Sequence, residues 1–249
     1  MLQAVDLGVT LPEGVYEARL RDLQVRLREL QGAAREARIP TIVVYEGVDA
    51  AGKGGNIRRL TQWLEPRGCD VHEIGPPTDE ELAHHYLWRF WSRMPARGHM
   101  ALFDRSWYGR VLVERVDELT PPGIWRRAYT EINEFERLMV DDGTVLLKFL
   151  LHIGKDEQLR RFQQRDTDPI KRWKLTTADW HNRERWDEYM AAFEQMLQET
   201  SPPHAPWLVI PADNKRHARV AALEALIGRI EDALTRSEST SINPAATPS

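Results

Sequence analysis

Residues 46–56 carry the most distinctive set of chemically capable side chains in the sequence. They read Glu-Gly-Val-Asp-Ala-Ala-Gly-Lys-Gly-Gly-Asn, which contains the spacing G-x-x-x-x-G-K of a phosphate-binding loop. Glycines let successive backbone N–H groups converge on one phosphate, and the positive end of a following helix adds to the attraction. Lys53 supplies a full charge to a phosphoryl group in transfer. The residues predicted to bind phosphate along this loop are Gly47, Ala50, Ala51, Gly52, Gly54 and Gly55.

A divalent metal usually accompanies such a loop, and here its ligands are displaced. The common motif has Ser or Thr after the lysine as a Mg²⁺ ligand, whereas this sequence has Gly54. Asp49, inside the loop, is the first alternative ligand. Asp104 is the second, because it ends an apolar run over 100–103 and such a strand carries its carboxylate to the rim beside the loop. The sequence therefore predicts Mg²⁺ bound by Asp49 and Asp104.

A phosphate loop needs a strand before it and a helix after it, and the hydrophobic pattern supplies both. β-Branched residues over 41–45 predict a buried strand, and Ile57, Leu60 and Leu64 suit one face of a helix. The alternative is a glycine-rich turn that binds nothing, which the lysine and the preceding strand disfavour. Four further strands are predicted over 70–74, 100–103, 145–153 and 207–210.

Helices are predicted between these strands. They cover residues 20–30, 57–64, 80–94, 111–116, 122–139 and 215–234, and in the fifth of them Leu138 is expected to face inward with Ile132, Phe135 and Met139. Strands alternating with helices indicate an α/β fold, with one parallel sheet of five strands and helices on both faces. Ligands of such sheets bind at the carboxyl ends of the strands, where both the loop and Asp104 lie.

The domain organisation predicted from the sequence is simple. Residues 1–14 form an N-terminal arm, residues 15–236 form a single domain, and residues 237–249, rich in Ser, Thr, Pro and Ala, form a disordered tail. Within the domain, residues from about 155 to 185 are strongly basic. A solvated helical face would account for such a run, but its position after the fourth strand favours a basic lid over the phosphate site.

Composition excludes several classes of function. The chain has 249 residues and a formal net charge of −4, which argues against general affinity for nucleic acid. No apolar run approaches the length of a membrane span, and the N-terminus lacks the pattern of a signal peptide, so a cytoplasmic location is expected. Cys69 is the single cysteine, which excludes an internal disulfide.

Several motifs together resemble the polyphosphate kinase 2 family. They are Gly-Val-Asp-Ala-Ala-Gly-Lys-Gly-Gly at 47–55, Phe-Asp-Arg-Ser-Trp-Tyr at 103–108, Val-Glu-Arg-Val at 113–116, Lys-x-Trp-Lys at 171–174 and Ala-Pro-Trp at 205–207. The resemblance covers residues 20–234. It implies a fold like that of thymidylate kinase and transfer of a phosphoryl group between inorganic polyphosphate and a purine nucleotide, with Mg²⁺. The run Trp-Tyr-Gly-Arg-Val-Leu-Val-Glu-Arg-Val at 107–116 resembles the branch that phosphorylates AMP, whose members often carry two copies of the domain.

The resemblance also implies roles for individual residues. Asp49 and Asp104 would be the metal-binding carboxylates, Lys53 the loop lysine, and Arg105 a contact to the phosphate near the transfer point. Arg110 and Glu114 would lie on the nucleotide side. The residues implied for the lid and the polyphosphate channel are Arg160, Arg161, Arg165, Lys171 and Lys174.

Two alternatives stay open at this point. An ATP-dependent nucleotide or small-molecule kinase would use the same loop without polyphosphate. A regulatory P-loop protein would carry an Asn/Thr-Lys-x-Asp stretch for guanine, and the sequence has none. We further expect a homo-oligomer, either a dimer or a tetramer, and no nucleic-acid or membrane partner.

Overall fold

Five parallel strands form one sheet in the spatial order β2-β3-β1-β4-β5. The computed structural model describes residues 1–242, and the last residues of the expected tail, 243–249, lie outside the described residues. This sheet confirms the predicted α/β fold. The strands are β1 (Thr41–Glu46), β2 (Cys69–Glu73), β3 (Met100–Asp104), β4 (Val145–His152) and β5 (Trp207–Pro211).

Ten α-helices within residues 1–242 surround the sheet or lie at its carboxyl edge. They are α1 (Glu13–Glu36), α2 (Lys53–Thr61), α3 (Asp79–Leu82), α4 (Trp88–Trp91), α5 (Val113–Val116), α6 (Pro122–Asp141), α7 (Lys155–Thr167), α8 (Thr177–Glu184), α9 (Trp186–Glu199) and α10 (Lys215–Ile242). Among the described residues, no helix is long and apolar enough to cross a membrane.

The core consists of two apolar layers, one on each face of the sheet. Every residue of β1 is buried, because the strand is covered on both sides. Side chains alternate along it, so Val44 packs in one layer and Val43 in the other. Helices α6 and α9 complete the first layer, whereas α1, α2 and α10 complete the second.

Strand β1 is central and pairs with β3 on one side and β4 on the other. Tyr45 lies opposite Asp104, and Glu46 lies opposite Leu150. The chain therefore leaves the sheet at neighbouring points after β1, β3 and β4, at the position where parallel sheets bind ligands. The pairing explains why residues far apart in sequence meet at this edge.

A buried polar cluster supports the segment that follows β3. Lys148 and Glu136 form an ion pair at 2.7 Å, and both side chains are completely buried. The hydroxyl of Tyr108 donates to Glu136 at 2.7 Å, and the indole N–H of Trp107 donates to the same oxygen at 3.0 Å. Each charge thus has partners, as buried charges require, and the two aromatic rings are fixed just after Asp104.

Several predicted boundaries differ from the structure. The helix expected over 80–94 is instead divided into α3 and α4, and Glu81 of α3 pairs with Arg89 and Arg93 further along the chain. The helix expected over 111–116 begins only at Val113, after a 3₁₀ turn. Leu138, expected inside, is 56% exposed.

The chain ends also differ from expectation. Residues 237–242 belong to α10 rather than to a disordered tail. Within the expected arm, Leu2 is buried in a short 3₁₀ turn, and α1 begins at Glu13. Helix α10 extends because it packs along α1, with ion pairs such as Arg26 to Glu231 at 2.8 Å.

Candidate active site at the carboxyl edge of the sheet

The glycine loop joins β1 to α2 and has the backbone that its sequence predicts. Gly47 has a φ of +143°, and a Cβ there would lie 2.5 Å from the carbonyl oxygen of Leu151, so only glycine fits. Gly52 has a φ of +108°. At Gly54, a Cβ would lie 3.4 Å from Oδ2 of Asp104. The position that commonly holds Ser or Thr is therefore next to a carboxylate from β3.

Lys53 begins α2 and lies within the curve of the loop. Its Nζ donates to the carbonyl oxygen of Gly47 at 2.7 Å and approaches that of Val48 at 3.4 Å. The side chain is only 8% exposed. A buried, fixed ammonium group needs little reorganisation to stabilise an anion in the loop.

Asp49 is held from two directions. Its Oδ1 accepts a hydrogen bond from Nη2 of Arg105 at 3.1 Å, and its Oδ2 accepts one from Nδ2 of Asn182 at 2.7 Å. Asn182 belongs to α8 and in turn accepts from the hydroxyl of Tyr189 at 3.3 Å. The loop carboxylate is thus tied both to the end of β3 and to the lid.

Arg105 follows Asp104 directly and has a left-handed backbone, with a φ of +65°. Its N–H donates to the carbonyl oxygen of Tyr45 at 3.0 Å, which keeps the residue beside β1. Burial lowers the pKa of Arg105, but the charges of Asp49, Asp104 and Glu46 outweigh it and raise the pKa. The guanidinium is therefore a permanent positive charge in contact with the carboxylate of Asp49.

Glu46, at the end of β1, is a buried acid behind the loop. The hydroxyl of Ser106 donates to it at 2.8 Å. Burial raises the pKa of Glu46 to about 7, although the Ser106 hydroxyl and the charges of Lys53 and Arg105 act in the opposite direction. Burial therefore leaves Glu46 partly protonated near neutral pH.

A cleft of about 780 Å³ opens from the front of the loop, residues 47–49, and passes Arg105. Nη1 of Arg110 donates to Oγ1 of Thr120 and pairs with Glu114, both at 3.0 Å, and its guanidinium lies 4.4 Å from the centre of the Tyr86 ring. Within residues 1–242 the buried Nε of Arg110 has no hydrogen-bond partner. The apolar walls of the cleft include Leu82, Val113, Leu119 and Ile124.

The predicted lid comprises α7, a 3₁₀ turn and α8, and its basic residues have different surroundings. Arg160 is exposed and forms two bonds with Glu157 at 2.6 Å. Nη1 of Arg165 lies 3.8 Å from Oδ1 of Asp179. Lys171 pairs with Asp168, and Nζ of Lys174 lies 5.1 Å from the centre of the Trp173 ring. Residues 169–174 are all exposed, so Lys171 and Lys174 form an outer tip.

Arg161 requires a correction. It was predicted in the polyphosphate channel, but its side chain is only 3% exposed. Nη1 donates to the carbonyl oxygens of Ala50 and Ala51 at 2.8 and 2.9 Å, and Nη2 donates to those of Ala212 and Asp213 at 2.6 and 2.9 Å. Because carbonyl oxygens use its terminal nitrogens, Arg161 supports the loop backbone rather than facing a ligand.

The structure therefore brings Asp49, Lys53, Asp104 and Arg105 together, with Arg110 and Glu114 in the adjoining cleft. Sequence reasoning missed Asn182, which touches Asp49, and Thr120, which bridges Arg110 and Glu114. Asn182 lies in the run Asp-Trp-His-Asn-Arg at 179–183, part of a segment that resembles the AMP-phosphorylating branch, but that resemblance does not indicate its contact with Asp49.

Comparison with known proteins identifies the family of this chain. The sequence matches the family described as Polyphosphate kinase 2 over residues 10–238. The chain belongs to the polyphosphate kinase 2 family. The resemblance inferred from the motifs is confirmed. A solved polyphosphate kinase 2 from Arthrobacter aurescens TC1 superposes with a TM-score of 0.89 at 35% identity, covering 93% of this chain and 85% of that one.

Relatives within the polyphosphate kinase 2 family differ in the nucleotide that their names give. The polyphosphate:AMP phosphotransferase of Pseudomonas aeruginosa is 46% identical over 233 residues, 94% of this chain but 47% of that protein. The AMP/ADP-polyphosphate phosphotransferase of Meiothermus ruber is 42% identical over 237 residues, 91% of this chain and 89% of its own. The chain thus spans about half the length of its Pseudomonas relatives.

Proposed function

We propose that the protein transfers a phosphoryl group reversibly between inorganic polyphosphate and a purine nucleotide, from AMP to ADP and from ADP to ATP. One observation carries the proposal. Lys53, Arg105 and the two carboxylates converge where the glycine loop meets a cleft of about 780 Å³, within the size range of small-molecule pockets. Membership of the polyphosphate kinase 2 family supports polyphosphate as the donor.

We propose Mg²⁺ as the cofactor, held by Asp49 and Asp104. Among residues 1–242 there is no group of three or more His, Cys, Asp or Glu side chains that could hold a metal. This fits Mg²⁺, which binds through one or two carboxylates together with phosphate oxygens and water. The Asp104 carboxylate lies against Gly54, where the common motif would place its own hydroxyl ligand. When bound, Mg²⁺ neutralises charge that develops on the phosphoryl oxygens.

The chain's own residues then align two polyanions and reduce their repulsion. A nucleotide phosphate is already an anionic nucleophile at neutral pH, so the reaction needs no general base. Arg105 stays charged beside the transfer point, and Lys53 contributes a second fixed charge from the loop. Positioning and electrostatic stabilisation supply most of the catalysis in phosphoryl transfer.

For the acceptor we propose AMP first and ADP second. Both the Pseudomonas and the Meiothermus relatives have AMP in their names, at 46% and 42% identity. A relative from Mycobacterium tuberculosis named GDP-polyphosphate phosphotransferase is less similar, at 38%. Arg110, which lines the cleft, is the cation that we assign to the acceptor phosphate.

The test is a direct assay of products. The protein is incubated with Mg²⁺ and polyphosphate against AMP, ADP, GMP and GDP in separate reactions, and the nucleotides are resolved by chromatography. We expect ADP to form from AMP, and ATP more slowly from ADP. Transfer from ATP with none from polyphosphate would favour the ATP-dependent kinase instead.

We also propose that the chain self-associates as a dimer or a tetramer. The support is apolar surface on neighbouring helices, where Trp91 of α4 is 50% exposed and Leu138 of α6 is 56% exposed. Analytical ultracentrifugation of the purified protein would measure the mass, and a monomer at all concentrations would contradict the proposal.

A further inference from the structure

The glycine loop has two sides, and the cleft uses only one of them. The cleft is lined by the front of the loop, residues 47–49, and not by the far side, where Gly54 and Gly55 are exposed. The far side faces the first turns of α10. Asn56, which is 2% exposed, donates from Nδ2 to the carbonyl oxygen of Ala218 at 2.9 Å. The beginning of α10 is therefore fixed against the beginning of α2.

Two cations lie on this part of α10, one turn apart. Lys215 and Arg219 are four residues apart and so share a face of the helix. A Cβ at Gly55 would lie 3.8 Å from Nη2 of Arg219, so the guanidinium borders the loop. Nη1 of Arg219 donates to the hydroxyl of Tyr16 in α1 at 3.1 Å, which fixes its direction. We call Gly55, Lys215 and Arg219 the α10 face.

Among the described residues, positive charge on the α10 face is offset only in part, by Glu157. Within the described part of the chain, Lys215 forms no ion pair. Partial loss of hydration, followed by the charges of Arg161, Arg160 and Arg219, lowers the pKa of Lys215 to about 8, and Glu157 offsets this only in part. Like charges gathered without enough acid are stabilised when a polyanion binds among them.

The outer tip of the lid differs from the α10 face because two of its cations are paired with carboxylates. Lys171 pairs with Asp168, and Arg172 lies 3.5 Å from Asp166. A polyanion that binds there must compete with carboxylates already in place. The tip also carries exposed apolar side chains, with Ile170 at 81% and Trp173 at 74% exposure. Its surface is thus less suited to a long anion than the α10 face.

We infer that the polyphosphate donor leaves the glycine loop across the first turns of α10, in contact with Lys215 and Arg219. This rests on the proposed function and adds a path for the donor. One end of the chain must lie in the loop next to the acceptor phosphate. The remaining phosphates extend away from the acceptor, because the two anions repel each other, and the exposed far side of the loop offers that direction.

The test compares one lysine on the α10 face with a matched lysine elsewhere. Lys215→Gln removes the charge of an exposed residue that begins a helix after β5. Lys155→Gln removes the same charge from an exposed residue that begins α7 after β4, but there Asp156 and Glu157 follow directly. Lys215→Arg keeps the charge. Each variant is checked by circular dichroism, and KM is measured for long polyphosphate, for tripolyphosphate and for the nucleotide.

We expect Lys215→Gln to raise KM for long polyphosphate about fivefold, the scale of one exposed charge contact. KM for tripolyphosphate and for the nucleotide should change less than twofold. Lys155→Gln, at the start of the lid, should raise KM for long polyphosphate less than Lys215→Gln does, and Lys215→Arg should restore the wild-type value. Equal effects of both glutamine variants, or an equal rise in KM for tripolyphosphate, would overturn the inference.

A binding measurement separates this inference from the proposed function. Calorimetry with long polyphosphate and no nucleotide reports donor affinity even if no transfer occurs. A weaker affinity in Lys215→Gln than in the wild type supports the α10 face whatever the acceptor is. If the wild type transfers phosphate, and the wild type and Lys215→Gln bind polyphosphate equally, the inference about the α10 face is wrong and the proposed function stands. If the wild type neither transfers phosphate nor binds polyphosphate, both fail.

Discussion

The cleft and the α10 face lie on opposite sides of one loop and are built in opposite ways. The cleft has apolar walls, and one of its cations, Arg110, is held by Glu114 and Thr120. The α10 face is open, and Lys215 has like charges around it. A nucleotide has a definite shape that packing can recognise, whereas polyphosphate offers repeated charge. The difference suggests that shape selects one substrate and charge the other.

Asp104→Asn should have the largest effect, because Asp104 lies where the two regions meet. Asparagine keeps the shape but removes the charge that we assign to the metal. We expect kcat to fall more than about 10³-fold with either donor length, comparable to other losses of a key charge in phosphoryl transfer. Steady-state assays with Mg²⁺, alongside circular dichroism of the variant, measure this. Activity within a few-fold of wild type would remove Asp104 from the metal site.

Lys53→Ala comes next, since Lys53 belongs to the loop shared by both regions. Losing one preorganised charge on the transferred group should lower kcat by about 10² to 10³-fold. Neither KM should change much, because the loss falls on the transition state. If only KM for one substrate rose, Lys53 would instead be a binding residue of that substrate's region.

Arg110→Met tests the cleft alone. The variant keeps side-chain bulk beside Tyr86 but removes the charge, so KM for the nucleotide should rise about tenfold, the scale of one charged hydrogen bond. KM for polyphosphate should stay unchanged. Arg115→Met is the control, because Arg115 lies on the neighbouring α5 and bonds Tyr129 instead. Equal shifts in both KM values would show that the two regions are not separate.

The smallest expected effect is the pH dependence of KM for long polyphosphate, which depends on Lys215 of the α10 face. Lys215 has a pKa lowered to about 8, so it is charged below that pH and loses its charge as the pH rises through it. KM for long polyphosphate should then rise about threefold between neutral and alkaline pH, within the range of one exposed contact. The surrounding arginines stay charged throughout, and the pKa of Glu157 is lowered. The charged groups near Lys215 are Glu157, Arg160, Arg161 and Arg219.

Lys215→Arg is the matching variant for the pH experiment. A guanidinium does not titrate in this range, so the pH dependence of KM for polyphosphate should be flatter than in the wild type. Titration of the phosphates themselves affects both proteins equally and therefore cancels in the comparison. Identical pH profiles would assign the dependence to another group.

The placement of the glycine loop after β1 and of Asp104 at the end of β3 could be predicted because it depends on local signals. Glycines that need a positive φ, a lysine at fixed spacing and an apolar strand ending in Asp all lie within a few residues of each other. Alternation of apolar strands with helices indicates a parallel sheet, but the spatial order of its strands was not predicted. The α/β sheet and the elements that carry the loop were accordingly predictable.

Burial of charged side chains could not be predicted in the same way. Arg160 and Arg161 are neighbours on α7, yet one is exposed and the other is enclosed by carbonyls from two distant loops. The difference depends on how α7 packs, which no local pattern records. The pairing of Asn182 with Asp49 likewise joins residues 133 positions apart. The pairing of Glu81 with Arg89 and Arg93 across the division of the helix expected over 80–94 had no local signal either.

The central position of β1 has a consequence for synthesis on the ribosome. This strand emerges early, but its two partners, β3 and β4, follow much later, and β4 ends about a hundred residues after it. At about 5–20 residues per second, the delay is several seconds, during which an apolar strand has no sheet to join. The interval between the synthesis of helix α1 and that of its packing partner α10 is longer still. Nascent chains of this length should therefore depend on chaperones, and the glycine loop takes shape only when the second half of the chain has arrived.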